Sequence, residues 1–286
     1  MSTSQGAPLI VAARLRRGKT NSARGVGSLA AEGLATARRA GATGRLILRA
    51  DSAFYGHKIC RAAGRAGAHF SLTARMDAAV RRAIAGIDAD AWTPIRYPRA
   101  IWEAAEDRWI SDAEVAEVRF TAFTSTAHPV TARLIVRRVK RLHPDTVATG
   151  QGELFADYRH HAIFTDSPNI MLQAEADHRR HAIVEQVFAD MKDSAMAHLP
   201  SGKFAANAAW LVLATMAFNL TRAAGALASL IHAKARTGTI RAQLINIPAR
   251  LARTGRRLTL HLPKHWPWQD HWQDLFTAIS APPPTP

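Results

Sequence analysis

Apolar residues recur with two different periods along this chain, and the periods divide it into regions. In residues 1–89, short apolar runs alternate with helix-period segments, which predicts strands near 46–48 and 69–73. The pattern predicts helices around these strands, at 28–40, 55–66 and 77–86. This β–α–β order is typical of an α/β core.

Residues 90–165 change to the two-residue period of β-strands. Polar and apolar side chains alternate in Ala113–Thr124 and in Thr131–Val139, and His160–Thr165 has the composition of a buried strand. We therefore predict that this region is a β-rich insertion in the α/β core.

The rest of the chain has mostly helical periods. Asn169–Val187 and Ala205–Ala228 are the clearest helices of residues 166–230, and the second is apolar nearly all round, which predicts a core helix. Residues 231–286 form a basic, tryptophan-rich segment. This segment contains a predicted strand at Leu258–Leu262 and a proline-rich tail, which we expect to be disordered.

The net charge favours an acidic partner. The formal charge is +16 and the isoelectric point is about 11.2. A large positive charge attracts polyanions. Nucleic acid is the first candidate, and an anionic membrane surface is the second. The longest apolar stretch, Ala205–Leu220, is interrupted by Asn207 and Asn219 and is too short and too polar to span a bilayer.

The N-terminus and the cysteine content indicate a reducing compartment. Cys60 is the only cysteine, which excludes an internal disulfide, and residues 1–6 lack the apolar region of a secretory signal. We therefore expect a cytoplasmic protein that binds nucleic acid and no membrane.

Two basic clusters suit contact with DNA phosphates. Leu9–Leu15 is predicted as a short strand that leads into a glycine-rich loop, and the basic residues here are Arg14, Arg16, Arg17 and Lys19. A second cluster near the C-terminus contains Arg253, Arg256 and Arg257. Such side chains position a protein on DNA without reading its sequence. The alternative for both clusters is a solvated basic surface that has no role in DNA binding.

Asp51 directly follows the first predicted strand, whose apolar residues are Leu46, Ile47 and Leu48. In α/β sheets, ligands and catalytic groups collect where strands give way to loops. Asp51 is therefore a candidate catalytic residue. The alternative is a turn aspartate that caps the residues after it.

A second candidate carboxylate, Glu185, lies in the helical stretch HRRHAIVEQVFADMK at 178–192. At helical spacing, His178, His181 and Lys192 fall on the same broad side as Glu185. An apolar stripe runs beside them and consists of Ile183, Val184, Val187, Phe188 and Met191. The alternative is a surface glutamate that contacts His181 one helical turn away.

Histidines offer a different metal site. His178 and His181 are three residues apart, and His160 and His161 adjoin a predicted strand. Because a zinc site needs three or four convergent ligands, these residues do not define one. Two carboxylates in a basic chain instead suit Mg²⁺ or Mn²⁺, whose oxygen ligands include carboxylates and substrate phosphates. Two such ions would act on a phosphodiester.

Four segments of the chain resemble the DDE transposases of bacterial insertion sequences, in the branch with a β-insertion before the glutamate. They are LILRADSAFY (46–55), FSLTARMD (70–77), HAIVEQVFADMK (181–192) and LPSGKFAANAAWLVLATMAFNL (199–220). Their order matches the family, and the resemblance extends from about Leu9 to Trp272.

The resemblance implies a ribonuclease H-like fold that cuts and joins DNA, at transposon ends and at a target, with Mg²⁺ or Mn²⁺. Asp51 matches the second acidic residue of the family and Glu185 the third, both as metal ligands. Their separation of 134 residues (185 − 51) leaves room for the β-insertion. The family signature on the glutamate helix places Lys192 toward DNA phosphate. The resemblance also implies a homo-oligomer in a synaptic complex on double-stranded DNA, and a nucleoid-associated protein of the bacterial cytoplasm.

Two departures from the family pattern stand out. His178 and His181 occupy the tyrosine and arginine positions of that signature. The family's first Asp belongs on an early strand, yet residues 1–50 contain no Asp, and Glu32 is their only acidic residue. We therefore expect the C-terminal part of a transposase, with an N-terminally incomplete core, weak metal binding and no first catalytic carboxylate.

Three functions remain open on the sequence. The chain is an active transposase that receives its missing Asp from another polypeptide, a non-catalytic DNA-binding remnant of a transposase, or an unrelated basic nucleic-acid-binding protein.

Overall fold

The computed structural model describes the chain except for residues 3–6, 22, 96–100, 104–107, 111–112, 141–157, 181–182 and 282–286. The chain divides into two compact units, and each is described by itself. The sheet unit comprises Lys19–His181. The helical unit comprises Met1–Gly18 together with Ala182–Pro286.

A six-stranded mixed sheet forms the centre of the sheet unit. Its strands are β1 (Ile47–Ala50), β2 (His69–Thr73), β3 (Thr93–Ile95), β6 (Ala113–Ala122), β7 (Val130–Lys140) and β8 (Tyr158–Thr165). They lie in the order β1-β2-β8-β7-β6-β3. Two further strands, β4 (Ile101–Glu103) and β5 (Arg108–Ile110), pair with each other.

The strands β1 and β2 are parallel neighbours, and Ile47 pairs with His69. A parallel pair needs a crossover connection, which here is the helix α2 (His57–Arg65). The other pairings of the sheet are antiparallel. Phe164 of β8 faces Leu72 of β2 on one side and Leu134 of β7 on the other, so β8 joins the parallel pair to the remaining strands.

Helices cover both faces of the sheet. The helices α1 (Val26–Arg39), α2 and α3 (Ala78–Ala85) bury their apolar residues against one face. The helix α4 (Met171–Arg179) packs against the other face. Successive side chains of β7 point to opposite faces of the sheet. Leu134 and Val136 pack on the face that α1, α2 and α3 cover, whereas Ile135 packs with Ala174 of α4 on the other face.

The predicted α/β class is confirmed. Region 90–165 contains the expected strands, and β3, β6, β7 and β8 extend the sheet that β1 and β2 begin. The single helix predicted at Asn169–Val187 is wrong, because α4 ends at Arg179 and a new helix begins at Ile183 in the helical unit. The sequence across the break contains no glycine or proline, so periodicity gives no sign of it.

The helical unit contains α5 (Ile183–Lys192), α6 (Phe204–Ala228), α7 (Thr237–Ile240), a π-helical turn (Arg241–Ile245) and α8 (Gln269–Ser280). A hairpin of β9 (Arg250–Thr254) and β10 (Arg257–His261) lies between the π-helical turn and α8 in sequence. One apolar cluster joins Met191 of α5 to Ala214 and Phe218 of α6, and another joins Ala228 to Ile240 and Leu244. The predicted strand at Leu258–Leu262 corresponds to β10.

The short strand predicted at Leu9–Leu15 is wrong, because this segment has no regular secondary structure and pairs with no strand among the described residues. The side chain of Asn219 replaces a strand partner. Its Oδ1 accepts from the N–H of Ile10 at 3.0 Å and its Nδ2 donates to the carbonyl of Ile10 at 2.8 Å. A side-chain amide on α6 therefore satisfies the backbone groups of Ile10.

The helix α6 is less buried than its apolar composition predicts. Phe218 and Ala214 are buried, but Leu213 and Leu220 are 58% and 68% exposed. The prediction of a helix buried all round is therefore wrong. The apolar stretch at 205–220 was predicted to be too short and too polar to span a bilayer, but α6 extends it to 25 residues. By length and composition alone α6 could cross a membrane, a test that core helices of soluble proteins also pass.

Candidate carboxylate site and basic surfaces

Asp51 is the residue directly after β1, as predicted. Its Oδ1 accepts a hydrogen bond from the N–H of Ala53 at 2.9 Å and so caps a single 3₁₀ turn, Ser52–Phe54. The carboxylate is solvent-exposed. Asp51 therefore caps the turn after it, as one interpretation of the sequence predicted. It also lies at the end of a parallel strand with its carboxylate exposed, which is the position that the candidate catalytic role requires.

Two further polar residues follow the neighbouring strand β2. Arg75 donates from Nη2 to the carbonyl of Ser52 at 3.3 Å, which ties the two loops together. Asp77 caps α3 by accepting from the N–H of Val80 at 2.9 Å. The carboxyl ends of parallel strands share one edge of a sheet, so this edge carries Asp51, Arg75 and Asp77. Sequence reasoning did not assign a role to Arg75 or Asp77, although both belong to the segment FSLTARMD.

An aromatic wall supports the loop after Asp51. The ring of Tyr55 lies 4.8 Å from that of Phe123 and 6.0 Å from that of Phe164, measured between centroids. Burial raises the pKa of Tyr55, and the negative charge of Asp77 raises that pKa further. The Tyr55 hydroxyl therefore stays protonated at neutral pH, and the loop is held by packing rather than by a phenolate charge.

Glu185 and Lys192 lie in the helical unit, both exposed on α5. They are seven residues apart, which places them on nearly the same side of the helix. The inner side holds Val187 and Met191. The other two described members of the apolar stripe, Val184 and Phe188, are 43% and 62% exposed, so only part of the stripe is packed in the core.

A buried ion pair explains the changed face of α5. Asp190 accepts from Nη2 of Arg222 on α6 at 2.6 Å and from the N–H of Thr237 at 3.1 Å. Asp190 and Arg222 are 3% and 7% exposed. The burial of Asp190 is tolerated because Arg222 and Thr237 pair with its carboxylate, so Asp190 lies on the inner side of α5 while Phe188 is exposed. Apolar periodicity alone does not identify such a face.

His178 does not share a helix with Glu185, so the predicted common face is wrong. It lies on α4 in the sheet unit and is 9% exposed. Its Nδ1 is 2.8 Å from Ser71 Oγ, and its Nε2 is 3.0 Å from Thr73 Oγ1. The ring thus joins α4 to β2. His181, the other member of that face, lies outside the described residues.

The histidine-based metal site finds no support in the described part of the chain. No group of three or more His, Cys, Asp or Glu side chains there has the arrangement to hold a metal ion. His160 and His161 are consecutive on β8 and so point to opposite faces of the sheet. Asp51 and Glu185 are oxygen donors, the kind of ligand that suits a hard cation, but they belong to different units.

The first basic cluster divides between the units. Arg14, Arg16 and Arg17 belong to the helical unit, whereas Lys19 begins the sheet unit. Arg14, Arg17 and Lys19 are exposed and Arg16 is half-buried. The guanidinium of Arg17 lies 5.9 Å from the centroid of the Phe204 ring.

The second basic cluster divides between the faces of the hairpin. Leu258 lies opposite Arg253, and Thr254 lies opposite Arg257, so successive pairs alternate between faces. Arg253 shares the apolar face with three exposed leucines, Leu251, Leu258 and Leu260. Arg257 shares the other face with Arg250 and His261. Arg256 lies in the turn beside Gly255, whose φ of +60° suits glycine.

Comparison of the sequence with known proteins identifies a family. No curated protein matches the chain. The sequence model of a protein family described as transposase DDE domain group 1 matches residues 5–284. This match includes both candidate carboxylates, the whole sheet unit and nearly all of the helical unit. The chain therefore belongs to the family of transposase DDE domains, group 1.

Proposed function

We propose that this chain acts in DNA transposition by metal-dependent cleavage and joining of phosphodiester bonds. The observation that carries the proposal is an exposed carboxylate, Asp51, directly after a parallel strand in a chain that the family match covers almost from end to end. The proposal includes a ribonuclease H-like core, to which the sheet unit contributes β1 and β2. Its place of action is the bacterial cytoplasm.

In this proposal, Asp51 and Glu185 hold Mg²⁺ or Mn²⁺. The ions, when bound, would activate the attacking oxygen and stabilise the leaving oxygen of the phosphodiester. Asp51 uses Oδ1 for its capping bond, which fixes the direction of its carboxylate. Lys192 lies two helical turns from Glu185 on the same exposed side of α5 and contacts a DNA phosphate.

Double-stranded DNA is the proposed partner, at transposon ends and at the target, in a synaptic complex of several copies. The exposed cations Arg14, Arg17, Lys19, Arg256 and Arg257 supply phosphate contacts in addition to Lys192. Arg16 and Arg253 have a smaller share, because Arg16 is half-buried and Arg253 shares the hairpin face of the leucines.

A second candidate function is DNA binding without catalysis. Glu32, the one acidic residue of positions 1–50, lies in the middle of α1 and not after a strand. Residues 1–50 therefore supply no carboxylate to the sheet edge that carries Asp51. We expect this chain alone to bind Mg²⁺ weakly and to perform no strand transfer.

The test is a cleavage assay on a plasmid that carries the gene with its flanking DNA, in Mg²⁺ or Mn²⁺. We expect the chain to bind this DNA but to cleave it no faster than Asp51→Ala and Glu185→Ala do. Robust cleavage that either substitution abolishes would support the site and contradict the expected inactivity. Cleavage that survives both substitutions would exclude the site.

A further inference from the structure

Two helices of the sheet unit run side by side and leave a groove between them. The carboxyl ends of α1 and α2 lead into β1 and β2, which are parallel neighbours, so the two helices are also parallel. At their amino ends they approach closely, because a Cβ on Gly27 would lie 3.3 Å from the carbonyl oxygen of Lys58. The groove has a volume of about 730 Å³.

The groove combines an apolar floor with cationic walls. Small and apolar residues line its base, namely Ala31, Leu34, Ala35, Ala62 and Ala66. Among the described residues that line it, every titratable side chain is a cation, namely Arg38, Lys58, Arg61 and Arg65. A groove whose charged side chains are all positive attracts a polyanion more strongly than a surface with charges of both signs does.

The cations of α2 form a regular row. Lys58, Arg61 and Arg65 are three and four residues apart and so share one side of the helix. With a rise of 1.5 Å per residue, the row is about 10.5 Å long. Arg38 differs, because its Nη1 already donates to the carbonyls of Ala42 and Gly44 at 2.7 and 2.8 Å. The row on α2 is therefore the part of the groove that is free to bind an anion.

The groove begins at the sheet edge that carries Asp51. The loop 51–56 leads from the end of β1 directly into α2, so Lys58 lies at the same end of the sheet as Asp51. From there the row extends along α2 toward Arg65, away from that edge. A polyanion bound at Asp51 and continuing into the groove would meet these cations in order.

We infer that the α1–α2 groove binds the sugar-phosphate backbone of duplex DNA beside the reacting phosphodiester. This inference rests on the proposed function and adds a DNA contact to it. One DNA strand has a phosphate every 3.4 Å along the helix axis, so a row of about 10.5 Å laid along that axis spans about three phosphate-to-phosphate steps. Binding here is independent of base sequence, because the cations meet the backbone and phosphate contacts carry no sequence information.

A matched pair of double variants tests the groove. Lys58→Glu with Arg61→Glu reverses two charges in the groove, and Arg81→Glu with Arg82→Glu reverses two exposed charges on α3. The net charge changes equally in both. Binding of a fluorescent duplex of arbitrary sequence is measured by anisotropy from about 50 to 200 mM salt, the range over which phosphate contacts are lost.

We expect the groove variant to lose at least about tenfold in affinity at low salt and its salt slope to fall by about 1.8, since each phosphate contact contributes about 0.9. The α3 variant should lose far less and keep its slope. Lys58→Gln with Arg61→Gln removes the same two charges without reversing them. This variant should show the same fall in salt slope, and it replaces the charge-reversal variant if that variant does not fold.

Two results would overturn the inference, and they are distinguishable. Equal losses in the groove and α3 variants would show that only overall charge matters, and the proposed function would stand. If the unaltered chain binds no duplex at low salt, both the proposed function and the groove fail.

Discussion

His232 is completely buried in the helical unit and depends on a neutral ring. Its Nδ1 lies 2.8 Å from Ser229 Oγ, and its Nε2 lies 3.0 Å from Gln243 Oε1. Burial lowers the pKa of His232 below its usual value of 6.5, and the nearby charge of His271 lowers that pKa too. The hydrogen bond to Gln243 acts in the opposite direction, with a smaller effect than burial.

This shift predicts acid sensitivity. Because the pKa is lower in the folded state, the neutral ring contributes stability that is fully present above the unfolded pKa and is lost as the pH falls toward the folded pKa. We expect the free energy of unfolding to decrease as the pH falls below about 6.5, measured by urea titration with tryptophan fluorescence. His232→Gln should remove part of this decrease, and His261→Gln, at an exposed site, should not. Identical pH profiles for wild type and His232→Gln would contradict the prediction.

The residues that sequence could identify are those whose role is local. Asp51 ends a short apolar run and caps the next turn, and both properties are visible within a few residues. His178 gave no such signal, because its partners Ser71 and Thr73 are 107 and 105 residues away in the chain. Asp190 is similar, since the Arg222 that makes its burial tolerable is 32 residues away.

At the scale of an element, α6 contains a glycine that packing requires. A Cβ on Gly225 would lie 2.7 Å from the carbonyl oxygen of His232 and 2.7 Å from Cδ1 of Ile240. The carbonyl belongs to backbone and has little freedom to shift. The close approach of α6 to the segment after it therefore depends on the missing side chain.

Gly225→Ala should destabilise the helical unit even though alanine is the better helix former. Overpacking of this kind costs about 1–3 kcal/mol, which exceeds the gain of up to about 1 kcal/mol from helix propensity. Gly64→Ala in α2 is the matched control, because a Cβ there meets no atom within 4 Å and should stabilise the chain. Urea unfolding measures both. A stabilised Gly225→Ala would show that this contact is loose.

Elements with strong periods were predictable to within a few residues, and their burial was not. The strand β2 matches its predicted range, and α6 begins one residue from its predicted start. An amphipathic helix shows which side it buries, but α6 is apolar nearly all round and gives no direction, so its exposed leucines could not be foreseen. The end of α4 at Arg179 was missed because no glycine or proline follows it before α5 begins, so the local sequence contains no helix breaker.

At the scale of the whole molecule, Asp51 and Glu185 belong to different units, and we predict that their carboxylates converge on one metal site. With two-metal geometry they would come within about 4–8 Å of each other. Asp51→Asn and Glu185→Gln should each weaken Mn²⁺ binding at least roughly tenfold, since such sites use few protein carboxylates. The double variant should lose little more than the stronger single one. Electron paramagnetic resonance measures free Mn²⁺ directly.

Asp193→Asn is the control for this prediction, because it removes the same charge from an exposed residue next to Lys192. It should leave Mn²⁺ binding nearly unchanged. Independent, additive losses from Asp51→Asn and Glu185→Gln would mean that the two carboxylates serve separate sites, and the proposed catalytic pair would be abandoned.

The strand β8 lies between β2 and β7, so the sheet stays in two halves until Thr165 has left the ribosome. Thr73, the last residue of β2, precedes Thr165 by 92 residues (165 − 73). At about 5–20 residues per second, synthesis of this interval takes roughly 5–18 s. During that time the edge of β2, and later that of β7 once residue 140 has been synthesised, exposes unpaired backbone groups, which are templates for pairing with other chains. A ribosome that pauses just before residue 158 would therefore prolong the exposure of both edges, and with it the opportunity for aggregation.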